Sequence, residues 1–152
     1  MGTEFRELAE VAALPFYSRP QVTLHLIITN DFKKSYERHG LGDCSARRDK
    51  FMEGVAIHWP SQLRFVVCMR YDYLTHNLIG HELEHVRARI VQQLGVRRKE
   101  SIAEIVGWLH DWVYRVLAKH RVPIYHEPVE KPLRMPSNWQ DDFSNNDDEE
   151  PF

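Results

Sequence analysis

An α+β fold, with a short mixed or antiparallel sheet packed on two long helices, is what this sequence predicts. Three observations point to it. Two stretches, Asn77 to Gly95 and Glu100 to His120, carry apolar residues at helical spacing, and the short basic connection Val96 to Lys99 joins them. Three shorter runs, at 21–29, 54–58 and 63–70, are apolar or β-branched and bounded by turn-forming residues. The chain has 152 residues, 43% of them hydrophobic, which is enough for one domain with a proper core.

Taken in order, the opening MGTEFRELAEVAAL is acidic and lacks the apolar length of a secretory signal or a membrane span. Arg6 stands where a myristoylation signal wants Ser or Thr. Gln21 to Thr29 reads as a strand between Pro20 and Asn30-Asp31, and His25 within it as a packed histidine rather than a ligand. Asp31 to His39 reads as a short helix capped by Asn30 and ended by Gly40. Leu41 to Lys50 is polar and reads as loop. Gly54 to His58 and Leu63 to Arg70, separated by Trp59-Pro60-Ser61-Gln62, form a hairpin. The second of these strands is either a plain central strand or one whose free edge can pair with an extended peptide. Tyr71 to His76 then leads into the first long helix, with Thr75 or Asn77 as its N-cap.

Beyond His120 the periodicity fades, although Val122 to Tyr125 can add a short strand. The folded domain is expected over 1–126, followed by a proline-rich linker at 127–136 and an acidic disordered tail at 137–152. That tail holds six acids and no base, so the formal net charge of −2 becomes +4 for residues 1–136. The tail either solubilises the chain, lies across its own domain, or docks a protein partner through Trp139, Phe143 and Phe152. Nothing in the global charge points to nucleic acid or membrane. Cys44 and Cys68 lie far apart with no CxxC pairing, and read as free thiols of a reducing, cytoplasmic compartment.

The chemistry-bearing stretch is the first long helix. It contains His81-Glu82-Leu83-Glu84-His85, the H-E-x-x-H spacing of zinc sites. On a helix, residues four apart sit ~40° apart, so both imidazoles can reach one metal ion. Glu82 lies to one side, where its carboxylate can take a proton from metal-activated water without being a ligand. Ile79, Leu83, Val86, Ile90 and Leu94 fall on the opposite side as a core stripe, and Gly95 suits the C-cap. The second helix repeats this layout. Glu100, Glu104, Gly107 and Asp111 form a polar strip, with Ile102, Ile105, Leu109, Val113 and Val116 behind it. Gly107 facing Ala88 would let the two helices approach and bring a carboxylate to the histidines. A competing reading makes Ser101-x-x-Glu104 a capping box, with Glu100 just before the helix.

His81-Glu82-x-x-His85 followed by Glu100-Ser-Ile-Ala-Glu104 resembles the gluzincin pattern of thermolysin-like metallopeptidases. More closely, HELEH, LGV and ESIAEIVGWL resemble small zincin-like proteins encoded by bacteriophages, over about Leu63 to Leu117. The resemblance implies Zn²⁺ bound by His81, His85 and Glu100, with Glu82 as general base and Glu104 holding a histidine from behind. Glu104 is the alternative third ligand. The connection between the helices is very short compared with thermolysin, and no large second domain is expected from these residues. Metzincins fit worse, because they need Gly and His where the chain has Ala88 and Val91. His110 falls on a different face from Glu100 and reads as a partly exposed helix histidine.

The function implied is hydrolysis of a peptide or protein substrate, in a host cytoplasm if the chain is phage-encoded. Tyr71, Tyr73, His76 and Tyr114 are all candidates for stabilising an oxyanion or touching substrate, and the sequence does not choose among them. A reading from another class is a virion or assembly protein that keeps zinc for stability and cleaves nothing.

Overall fold

The computed structural model describes residues 4–18, 21–42, 53–59 and 62–125. Its elements are β1 (Glu7–Ser18), β2 (Gln21–Thr29), α1 (Phe32–His39), β3 (Gly54–Trp59), β4 (Arg64–Arg70), a 3₁₀ turn (Tyr71–Tyr73), α2 (His76–Leu94) and α3 (Lys99–Lys119). The strands make one four-stranded mixed sheet in the order β1-β2-β4-β3. β2 and β4 are parallel, while β1 and β3 run antiparallel to their neighbours. The α+β class read from the sequence is what the chain adopts. The linker and acidic tail lie outside the described residues, as do Cys44 and most of the loop after Leu41.

β4 is buried on both faces. Phe65, Val67 and Met69 join the larger core under α2 and α3, whereas Val66 and Cys68 join a smaller core under α1. That double burial explains its unbroken apolar run and makes it a central strand. Among the described residues the end position in the sheet belongs instead to β3, the other strand of the predicted hairpin. β2 divides likewise: Leu24, Leu26 and Ile28 face the larger core and Ile27 the smaller.

β1 has no counterpart in the sequence reading. Its alanines and glutamates favour helix, so local propensity hides a strand that tertiary pairing imposes. Leu8 and Leu14 anchor it in the core. Glu10 carries it to the end of α3, where its carboxylate meets His120 Nε2 at 2.6 Å. On the opposite face of the sheet Glu7 accepts a hydrogen bond from Ser35 Oγ at 2.5 Å and pairs with His39 at 2.7 Å, which fastens α1 to the sheet.

Helix ends follow local chemistry. Asp31, not Asn30, caps α1 by accepting from Lys34 N–H, because Asn30 is engaged with the backbone of Glu4 and Arg6. Gly40 ends α1 and Gly95 ends α2, each in the left-handed region that glycine tolerates. Thr75, fully buried, caps α2 by accepting from Leu78 N–H at 3.0 Å. Ile79, Leu83, Val86 and Ile90 are buried as their spacing predicts, each contributing roughly 1.5–3 kcal/mol. In place of a strand at 122–125 there is one isolated bridge between Thr75 and Tyr125.

Candidate functional site

His81 and His85 sit one turn apart on α2, and their Nε2 atoms are 3.3 Å apart with the rings nearly perpendicular at 77°. Two nitrogens bound to one tetrahedral zinc at ~2.0–2.1 Å each lie ~3.3–3.4 Å apart. The pair therefore has the bite of two ligands on a single ion. Glu82 turns inward and is 5% exposed, with Oε1 3.9 Å from His81 Nε2. Burial pushes its carboxyl up to about 8, because the charged form loses hydration. Glu84, the other acid of the motif, turns away to a bidentate pair with the buried Arg87 guanidinium. The two glutamates thus have separate roles: one faces the core beside His81, the other forms an ion pair at the surface.

β3 covers Glu82. Gly54 lies directly against it, so that a Cβ at position 54 would stand 2.9 Å from Glu82 Cγ and 3.2 Å from Leu78 Cδ1. In the sequence Gly54 reads only as the start of a strand. The signal available there is a glycine opening an apolar strand, a mark of close approach.

The second helix is less accommodating. It begins at Lys99 after Arg98, whose side chain makes no capping bond, so Ser101 lies inside the helix and no Ser101 capping box forms. Glu100 and Glu104 are exposed on its first turns. Gly107 does not mark a close helix approach, since a Cβ there would meet nothing within 4 Å. Among the described residues, no three His, Cys, Asp or Glu side chains are grouped to hold a metal ion. The structure brings His81, His85 and Glu82 together, and Glu100 and Glu104 lie on the exposed first turns of α3.

The four oxyanion candidates separate. Tyr71 is buried under the Arg6 guanidinium, 4.1 Å from its ring centroid. Burial raises its phenol pKa, and the nearby Glu7 charge adds to that against the pull of Arg6. Tyr73 is half-buried against the larger core. His76 and Tyr114 pair with one another, Nδ1 to hydroxyl at 2.8 Å, with rings stacked 5.6 Å apart. Burial raises the Tyr114 pKa. His76 precedes His81 by five residues, ~140° round the helix, so this pair clamps α2 to α3 on another side. His110 bonds the Val106 carbonyl through Nδ1 at 2.9 Å, as a helix histidine with a structural partner does.

No protein-family model matches the chain, nor does any curated protein or solved structure. Among the described residues no helix is long and apolar enough to cross a membrane.

Proposed function

We propose that the chain is a zinc-dependent hydrolase of peptide or amide bonds with a zincin-like arrangement, in which His81 and His85 hold the metal and Glu82 is the general base. The observation that carries this reading is the 3.3 Å separation of the two Nε2 atoms, the bite of a single tetrahedral ion. Glu100 is the third ligand in this reading and Glu104 the carboxylate that orients a histidine, both taken from the resemblance in spacing. Bound there, zinc would polarise a carbonyl oxygen and acidify water.

The chain's own residues do the rest. Glu82, buried beside His81, accepts the proton on a carboxylate oxygen. Once protonated, the same carboxyl can pass that proton to the departing amine. The end position of β3 in the sheet supports an extended peptide as substrate, because an edge strand offers main-chain donors and acceptors beside the site. The bond between His76 and Tyr114, and the Arg6 guanidinium over Tyr71, engage three of the four oxyanion candidates with partners of their own.

Fluorescein-labelled casein incubated with the zinc-loaded full chain tests the reading. Cleavage that stops on chelation and is missing from Glu82→Gln is the expected result. A zinc-loaded wild-type chain that leaves casein intact contradicts it.

A further inference from the structure

A glycine in a strand is unfavourable unless something needs its missing side chain. Gly54 opens β3 and is buried. Its backbone does not demand glycine, because it lies outside the set of residues with positive φ. Space is the remaining reason. Its register partner Met69 faces the larger core, so position 54 points at α2. A Cβ added there would stand 2.9 Å from Glu82 Cγ, 3.2 Å from Glu82 Cδ and 3.2 Å from Leu78 Cδ1. A gap below 3.0 Å cannot persist, so one of these groups must move. The nearest two of these atoms belong to Glu82, so its carboxylate is the group to be displaced.

We propose that Gly54 is a positioning residue for Glu82: the absence of a side chain at position 54 sets where the Glu82 carboxylate lies beside the His81/His85 pair. This rests on the hydrolase reading for its consequence, though the contact itself does not. Ala56, the next residue of β3 on this face, also packs against the larger core. Two small residues in alternation thus let α2 lie close under the edge strand, with the general base at the tightest point. A larger residue at 54 meets Glu82 and Leu78 first, and no imidazole atom is among the three nearest to that Cβ.

The test is a cycle of four full-length proteins: wild type, Gly54→Ala, Glu82→Ala and the double variant. Their melting temperatures are measured without metal, so this arm is independent of zinc. Gly54→Ala should lower Tm in the Glu82 background. In the Glu82→Ala background the drop should be clearly smaller, because Cγ and Cδ are gone and only the 3.2 Å approach to Leu78 Cδ1 remains. Equal Tm changes in both backgrounds overturn the contact.

The second arm uses zinc-loaded protein and labelled casein. Gly54→Ala should bind zinc with wild-type Kd and keep KM, while kcat falls by about 100-fold, the scale of an ångström-sized misplacement. A purely structural glycine would weaken zinc binding and activity together, or neither. Full kcat in Gly54→Ala overturns the positioning role even where the thermal cycle shows coupling. A wild-type chain that binds no zinc, or cleaves no casein when loaded, refutes the hydrolase reading and the positioning role with it. The melts still decide the contact.

Discussion

His81 and His85 present their Nε2 atoms to one another at 3.3 Å. Two imidazole nitrogens at that distance share either a proton or a cation, since facing lone pairs repel. Helical spacing explains why the rings can meet, and the neighbouring Glu82 explains what the meeting can be used for. His81 Nε2 lies 3.9 Å from a carboxylate that the fold has buried.

Glu82→Gln should keep the metal and lose hydrolysis. Glutamine has nearly the same volume, so the space under Gly54 is filled as before, but it cannot accept a proton. Zinc titration beside a casein assay checks this. A variant that loses zinc as readily as His81→Ala would show that Glu82 is a ligand rather than the base.

Much of the fold is legible in the sequence because the burial pattern and the period agree. The stripe Ile79, Leu83, Val86, Ile90 is buried as its spacing requires, and Gly95 ends α2 in the left-handed region. β1 is hidden for the opposite reason: ELAEVAAL favours helix locally, and only pairing with β2 makes it a strand. The two strands of the hairpin are legible, but which of them is the edge depends on β2, a partner distant in sequence. At the site, the His81–Glu82–His85 cluster follows from helical geometry alone. The relation of α2 to α3 does not, because a wheel gives the face of each helix but not the rotation of one about the other. Glu100 and Gly107 do share a strip, and that strip faces solvent.

Glu100 and Glu104 are separated by one turn, and their removal should have different costs. In the proposed ligand set Glu100→Gln would take away a metal bond, while loss of an orienting carboxylate typically costs ~10–100-fold in affinity. Parallel zinc titrations should therefore find Glu100→Gln the weaker binder, with a measurable site left in Glu104→Gln. The reverse order moves the third ligand to Glu104, and equal wild-type affinity in both removes α3 from the centre.

His25 gives a pH test that does not depend on metal. Its Nε2 accepts from Arg64 Nε at 3.1 Å, which requires a neutral ring. Burial lowers its pKa below the ordinary 6.5, with the Arg64 charge second and that of His39 third. Below that ordinary value the unfolded chain takes up a proton that the folded chain resists. The stability this site contributes is thus present above pH 6.5 and is lost as pH falls through the lowered folded value. Urea midpoints measured downward from pH 7.5 should decline, and His25→Gln, which can still accept from Arg64, should flatten the decline. An identical pH slope in the variant would assign the effect elsewhere.

Calorimetric titration of zinc into the metal-free full chain asks whether His81 and His85 form one metal centre. About one zinc per chain is expected, with the heat lost in both His81→Ala and His85→Ala, because each removes half of the observed bite. Bound zinc should also raise Tm, since the ion binds the folded chain and not the unfolded one. A wild-type chain that gives no binding heat and no change in Tm at saturating zinc would contradict it.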